Sequence, residues 1–223
     1  MELTSLNIKA VLFDLDETLL DRTNSLIKFV TWQANAQLKL DSQTASQFIQ
    51  RFLILDNSGK VWKDKVYQQL IAEFELAGCT FNELLTTYEQ DFCQFVQPNA
   101  GVVEVINFLR QKGLKLGLLS NGKSPFQQRN FQALHIAEFF DSIIISEKVG
   151  LRKPDPAIFH LALSELNVLP KHALFVGDDL IADVEGATNA GINSVFFNRH
   201  QQKNTTQAFA TITALHELKY LLG

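Results

Sequence analysis

The hydrophobic positions of the chain include five short runs that are rich in β-branched residues. Each run is too short for a helix and too uniformly apolar for a strand with one solvent-exposed face. Strands of a parallel sheet that is covered on both sides have this character, because both of their faces are buried. The runs are IKAVLF (8–13), LKLGLL (114–119), SIIIS (142–146), ALFVG (173–177) and NSVFF (193–197).

Helical patterns separate the later runs. Apolar residues recur at helical spacing in Val102–Lys112 and in Asp183–Ala190. The pair Asp155–Pro156 is an N-cap followed by proline, which predicts the start of another helix. The polar stretch Arg199–Gln207 predicts a surface loop, and Thr213–Leu222 predicts a closing helix. Strands that alternate with helices predict an α/β fold built on a doubly wound parallel sheet.

One long segment departs from this alternation. From about residue 22 to 97 the apolar residues keep helical spacing, and the segment shows no strand pattern. We therefore predict an all-helical domain at 21–97, inserted directly after the first strand. The α/β domain would then consist of residues 1–20 and 98–223.

The composition is that of a globular protein with a substantial core, since the 223 residues are 46% hydrophobic and 20% charged. The net charge of −4 gives no electrostatic reason to expect a nucleic-acid polymer as a partner. The sequence shows no signal peptide and no membrane-spanning apolar segment, so we expect a cytoplasmic protein without a membrane partner. Cys79 and Cys93 lack the spacing of metal ligands and indicate free thiols in a reducing compartment.

Polar side chains follow the predicted strands at the points where these strands end. Because the carboxyl ends of parallel strands meet at one edge of a sheet, ligands bind in the crevice there. One hydroxyl, one lysine and several carboxylates should therefore converge from distant parts of the chain. The residues concerned are Asp14, Asp16, Ser120, Asn121, Lys153, Asp178, Asp179 and Asp183.

Carboxylates that are held close together repel, and burying them without a partner is costly. A divalent cation removes that cost, and Asp14 and Asp178 offer the oxygen ligands that Mg²⁺ takes together with a phosphate. Lys153 adds a positive charge, and the Ser120 hydroxyl can donate to an anionic oxygen. A metal, a lysine, a hydroxyl and a further carboxylate together favour phosphoryl transfer, which depends on positioning and charge neutralisation.

Four segments, taken in order, resemble the motifs of the haloacid dehalogenase-like hydrolase superfamily. They are DLDETLLD (14–21), LLSNG (118–122), RKPDP (152–156) and VGDDLIAD (176–183). Each motif alone is weak evidence, but the four in order and at strand ends are specific. The helical insert stands where that family places its helical cap domain.

The resemblance implies roles for the two aspartates of the first motif. Asp14 would be the nucleophile that forms an aspartyl-phosphate. Asp16 would be the general acid that protonates the leaving oxygen and then the base that activates water. Mg²⁺ would bind the side chains of Asp14 and Asp178 and the backbone carbonyl of Asp16.

The other motifs supply phosphate-binding and supporting groups under the same resemblance. Ser120 and the backbone amide of Asn121 would hold phosphoryl oxygens, and Lys153 would bridge the nucleophile and the phosphate. Asp183 would orient the metal site without binding the metal directly. Asp179 has no assigned role beyond a possible cap on the following helix.

The resulting hypothesis is a magnesium-dependent phosphatase, monomeric or homodimeric, that hydrolyses a small phosphorylated metabolite. The stretch 120–159 is similar to the family branch of nucleoside monophosphate phosphatases and, more loosely, of phosphoglycolate and sugar phosphate phosphatases. A 2-haloacid dehalogenase of the same fold is disfavoured, since it needs neither Asp16 nor the Asp178 cluster. A phosphomutase and a non-catalytic regulator stay open as alternatives.

Overall fold

The structure, a computed structural model, describes residues 7–201 and 207–223. These residues contain one sheet of six parallel strands in the order β3-β2-β1-β4-β5-β6. The predicted α/β fold and its five strands are confirmed. The strands are β1 (Ala10–Phe13), β2 (Lys115–Ser120), β3 (Ser142–Ile145), β4 (Ala173–Gly177), β5 (Asn193–Phe197) and β6 (Ala210–Ile212).

Ten α-helices accompany the sheet within the described residues. Asp155 accepts a hydrogen bond from the Ala157 amide, so the N-cap predicted there begins the helix at Pro156. The helices are α1 (Arg22–Trp32), α2 (Ser42–Asp56), α3 (Lys63–Glu73), α4 (Phe81–Asp91), α5 (Val102–Gln111), α6 (Phe126–Ala133), α7 (Ser146–Val149), α8 (Pro156–Leu166), α9 (Gly186–Asn189) and α10 (Leu218–Leu222).

Strand β1 lies at the centre of the sheet, where the order of the strands reverses. Phe13 at its end is in register with Leu118 of β2 on one side and with Val176 of β4 on the other. All four residues of β1 are buried, which explains their uniformly apolar character. The reversal opens a crevice beyond the carboxyl ends of β1 and its neighbours, where α/β proteins bind ligands.

Two local predictions need correction, and one strand was missed. The helix expected at Asp183–Ala190 begins earlier, as a π-helical turn at Leu180–Glu185 that continues into α9, because Asp179 caps the amides of Ile181 and Ala182. The closing helix expected at Thr213–Leu222 is shorter, since a 3₁₀ turn precedes α10. Strand β6 was not predicted, because its three residues ATI form no apolar run. Of the predicted loop at 199–207, residues 202–206 lie outside the described part of the chain.

The chain divides into two compact units. One comprises the chain up to Asp21 together with everything from Pro98 onward, and it contains the sheet. The other, Arg22–Gln97, contains α1 to α4. Its core is aromatic: the ring of Phe29 meets those of Tyr88 and Phe92 edge-on.

Two further findings bear on the expectations from composition. Among the described residues, no helix combines the length and the apolar character needed to cross a membrane. Cys79 and Cys93 are both free thiols and partly buried.

Candidate active site

The carboxyl edge of the sheet gathers acidic residues around one lysine. Asp14 directly follows β1, and Asp178 directly follows β4, the strand paired with β1. Lys153 comes from the segment before α8, and Asp183 from the π-helical turn after β4. The sheet topology thus brings together residues that are far apart in the sequence.

Lys153 is buried between two carboxylates. Its Nζ donates to Oδ1 of Asp14 at 2.6 Å and to Oδ1 of Asp183 at 2.7 Å, and the residue is only 3% exposed. Burial disfavours the charge of Lys153, but Asp14 and Asp183 outweigh it and raise the pKa of the lysine above its usual value. Lys153 is therefore a fixed positive charge beside the side chain of Asp14.

The backbone of Lys153 is held by Asn121. The Asn121 side chain donates from Nδ2 to the Lys153 carbonyl oxygen and accepts from the Lys153 amide at Oδ1, both at 2.9 Å. This reciprocal pair ties the turn after β2 to the segment that carries the lysine. The role predicted for the Asn121 backbone amide, holding a phosphoryl oxygen, stays a prediction.

Asp183 is held tightly in place at the end of β4. Its Oδ2 accepts from the Asp179 amide at 3.1 Å, while its Oδ1 faces Lys153. The carboxylate also packs against Gly177, where an added Cβ would lie 2.3 Å from Asp183 Oδ2. Only glycine leaves room for this carboxylate. Asp179 points elsewhere and caps the π-helical turn.

Three carboxylates of the site are close enough to share a cation. Oxygen atoms of Asp14, Asp178 and Asp183 all lie within 4.8 Å of one another. Carboxylate oxygens are the ligands that hard divalent cations prefer, so the donor set fits such an ion. Lys153 offsets only part of the negative charge of the cluster.

Burial, together with the charges of neighbouring carboxylates, raises the pKa values of the three aspartates. Burial raises the pKa of Asp178 to about 9, and the nearby charges of Asp14 and Asp183 add to the effect. Burial also raises the pKa of Asp183 to about 6, although Lys153 opposes the shift. The pKa of Asp14 is raised by burial against the same opposition. A divalent cation would reverse these shifts by favouring the ionised carboxylates.

Ser120 and Asp16 meet through a residue that the sequence analysis did not identify. Gln127, in the first turn of α6, donates from Nε2 to Oδ2 of Asp16 at 2.5 Å and to Oγ of Ser120 at 3.2 Å. Asn130 donates to Oε1 of Gln127 at 3.3 Å. Two buried amides three residues apart on one helix face, shortly after the SNG turn, are the signal that could have indicated them.

The loop that follows Asp16 is secured by Arg199, a second residue absent from the predicted set. Its guanidinium pairs with Asp21 at 3.0 Å and with Glu17 at 3.5 Å and also donates to Asn99. Asn99 in turn donates to the Thr18 carbonyl oxygen at 2.9 Å. These contacts join the loop after β1 to the segments after β5 and before α5.

Comparisons with known proteins show which family this chain resembles. The sequence model described as haloacid dehalogenase-like hydrolase matches residues 11–197. The glyceraldehyde 3-phosphate phosphatase of Pyrococcus abyssi is 30% identical over 196 residues, which cover 85% of this chain and 81% of the relative. The pyrimidine 5′-nucleotidase YjjG of Escherichia coli is 35% identical over 128 residues, or 56% of each chain.

Solved structures extend the similarity over nearly the whole chain. The HAD hydrolase YfnB of Bacillus subtilis, solved bound to magnesium, superposes with a TM-score of 0.74 at 25% identity. The match covers 97% of this chain and 99% of that one. Solved 2-haloacid dehalogenases also share the fold.

Proposed function

Because the chain belongs to the haloacid dehalogenase-like hydrolase family, we propose that this enzyme is a magnesium-dependent phosphatase of small phosphomonoesters. One observation carries the proposal: Lys153 lies buried between Asp14 and Asp183, beside the carboxylate of Asp178. Phosphoryl transfer requires a nucleophile, a fixed positive charge and carboxylates that can bind a metal ion. These groups lie together at the carboxyl edge of the sheet. The assignment of unit Arg22–Gln97 as the cap domain is part of the same proposal.

The first half-reaction forms a covalent intermediate. A carboxylate oxygen of Asp14 attacks phosphorus, and the bond between phosphorus and the leaving oxygen breaks. The leaving oxygen takes a proton from the carboxyl group of Asp16. Lys153 and the Ser120 hydroxyl stabilise the negative phosphoryl oxygens during the transfer.

The second half-reaction restores the enzyme. The Asp16 carboxylate accepts a proton from water as the water oxygen attacks phosphorus. The bond between phosphorus and Asp14 breaks, which releases inorganic phosphate and regenerates the Asp14 carboxylate. One carboxyl group thus serves as acid and then as base, and the proton balance closes over the cycle.

The chain offers suitable ligands for magnesium at this site. Asp14, Asp178 and the backbone carbonyl of Asp16 would hold the ion, with Asp183 positioned beside them by Lys153 and Gly177. When bound, the ion supplies positive charge that offsets the carboxylates and the phosphate.

The decisive experiment is phosphate release with the native enzyme and with Asp14→Asn. Substrates would be para-nitrophenyl phosphate, glyceraldehyde 3-phosphate and pyrimidine nucleoside monophosphates, the last two chosen because the relatives' names mention them. We expect release that needs Mg²⁺, stops with a chelator, and falls at least ~10³-fold in the variant, because the amide is not a nucleophile.

The matched control is Asp141→Asn, which makes the same change immediately before β3, at the opposite edge of the sheet. It should keep native turnover. If folded, magnesium-loaded enzyme released no phosphate from any of these esters, the proposal would be wrong. Halide release from 2-haloacids in the same preparation would identify a dehalogenase instead.

A further inference from the structure

Gln127 is buried at the point where two catalytic groups of the proposed reaction meet. It is 3% exposed, and its Nε2 lies 2.5 Å from Oδ2 of Asp16 and 3.2 Å from Oγ of Ser120. These partners come from the loop after β1 and from the end of β2. One amide nitrogen therefore donates to the predicted general acid and to the predicted phosphate ligand.

The orientation of this amide is set at both ends. A carboxylate can only accept hydrogen bonds, so the nitrogen of the Gln127 amide must face Asp16. At the opposite end, Asn130 donates from Nδ2 to Gln127 Oε1, a contact that also requires the carbonyl oxygen to face Asn130. Asn130 is itself buried. A flipped amide would lose both interactions.

The side chain of Gln127 packs closely against Gly122 in the turn after β2. A Cβ added at Gly122 would lie 2.6 Å from Cγ of Gln127 and 3.0 Å from its Nε2. The backbone amide of Gln127 also donates to the Lys123 carbonyl oxygen at 2.9 Å. The SNG turn therefore packs directly against the side chain of Gln127.

We propose that Gln127 is a positioning residue that fixes Asp16 for proton transfer and orients the Ser120 hydroxyl. A proton on Oδ2 of Asp16 would oppose the N–H of Gln127, so the acid form carries its proton on Oδ1. The Ser120 oxygen accepts from the same amide, so its own hydrogen points away from Gln127. This inference rests on the proposed phosphatase function.

The inference predicts a dependence on the leaving group. An alkyl alcohol is a poor leaving group and needs a proton from Asp16, whereas para-nitrophenolate departs without one. General acid catalysis contributes about 10²- to 10⁴-fold, so misplacing the acid should slow only the first kind of substrate strongly. The first half-reaction must be measured by itself, because water attack in the second half needs Asp16 whatever the substrate.

The test is Gln127→Leu in single-turnover quench experiments on two esters, glycerol phosphate and para-nitrophenyl phosphate. We expect leaving-group release to fall about 10- to 100-fold for the alkyl ester and less than about 3-fold for the aryl ester. Asn130→Asp should shift the same ratio in the same direction, because aspartate cannot hold the amide in its native orientation.

Gln132→Leu is the matched control, since it makes the same change at an exposed position of α6. It should leave both rates unchanged, and thermal unfolding verifies that each variant is folded. Equal losses for the two esters in Gln127→Leu, or no loss for either, would overturn the positioning role. Failure of the wild type on both esters, and also on glyceraldehyde 3-phosphate and the pyrimidine nucleoside monophosphates, would instead overturn the proposed phosphatase activity, and this inference with it.

Discussion

Lys153 shows how strongly a single buried charge can depend on its neighbours. Its ammonium group is held by two carboxylates and lies 5.3 Å from the centre of the Phe175 ring. An ammonium group removed from water is stable only when such partners replace its hydration. The same contacts keep the lysine protonated and place it against Asp14. The catalytic role proposed for Lys153 would therefore coincide with a structural role in the same side chain.

Replacing this lysine by a neutral side chain of similar length separates the two roles. In Lys153→Met the carboxylates lose their counter-charge, so we expect a loss of about 3–5 kcal/mol in the free energy of unfolding without metal. Phosphate release should fall at least ~10³-fold. Denaturant unfolding and phosphate release are the measurements. Mg²⁺ should recover part of the stability but not the activity.

The exposed Lys171 provides the comparison for this prediction. Lys171→Met makes the same change in the short turn before β4. It should alter neither the free energy of unfolding nor the rate of phosphate release appreciably. Recovery of full activity by Mg²⁺ in Lys153→Met would contradict a direct role of the lysine.

At the scale of elements, the end of α2 is stabilised by a buried ion cluster. The carboxylate of Asp56 accepts hydrogen bonds from both terminal nitrogens of Arg22, at 2.8 and 3.0 Å, and also pairs with Lys63 at the start of α3. The Gly59 amide donates to the same carboxylate at 2.9 Å. The short loop DNSGK (56–60) is thus enclosed by contacts among α1, α2 and α3.

Removing the carboxylate that Arg22 and Lys63 share should destabilise the helical unit. Burial would raise the pKa of Asp56, but Arg22 and Lys63 outweigh it and lower the pKa. Asp56→Asn leaves two buried cations without their carboxylate, which we expect to cost about 3–5 kcal/mol. Hydrogen exchange of the α1 to α3 amides in the full chain measures this loss.

The control for this element is Asp91→Asn at the end of α4, whose carboxylate accepts from the neutral Gln94 amide. Its amide exchange should match that of the wild type. The ionised Asp56 contributes its full stabilisation above the pKa that this carboxyl group has in the unfolded chain. The contribution is lost as the pH falls through the lowered pKa of the folded state, so the protection lost in Asp56→Asn should diminish as the pH falls. A difference that persists at low pH would argue against the ion cluster.

At the scale of the whole molecule, the acidic site is a product of the sheet order. Asp14 and Asp178 meet because β1 and β4 are neighbours, although 159 intervening residues, including the helical unit, separate β1 from β4. The fold thereby concentrates negative charge at one strand edge. The stability of the α/β unit should accordingly respond to pH and to divalent cations together.

The sign of this response follows from the raised pKa values. With Asp178 at about 9 and Asp183 at about 6, against an ordinary value of 3.8, the folded protein binds more protons than the unfolded chain. Their contribution to stability is complete below the unfolded pKa and is lost as the pH rises through the folded values. We therefore expect the unfolding temperature of the metal-free protein to fall between pH 5 and pH 8.5.

Mg²⁺ should raise the unfolding temperature more at pH 8.5 than at pH 5, since protons compete with the ion for the carboxylates. Asp178→Asn should remove most of both effects, and the difference between wild type and variant isolates the site from other titrating groups. Thermal unfolding with Mg²⁺ and with chelator measures them. An identical pH response in wild type and variant would contradict the pKa assignment.

The sequence by itself determined the elements and most of the groups at the sheet edge. Buried strands such as β1 and β4 can be predicted from the sequence, because a strand with both faces covered needs an uninterrupted apolar run. The start of α8 was readable because an N-cap and a proline act within one turn. The strand-end motifs pointed to the carboxyl edge, since parallel strands all end there.

Only the tertiary structure decided which of these groups touch and which others join them. Gln127 and Asp16 are 111 residues apart, and Asn99 and Arg199 are 100 apart. Such contacts depend on how strands are ordered and how turns cross, which local periodicity does not encode. The same holds for β6, a strand because β5 offers it an edge rather than because ATI is apolar. The pattern of apolar and polar side chains indicates which residues are buried. Which distant residues contact one another is decided by the assembled fold.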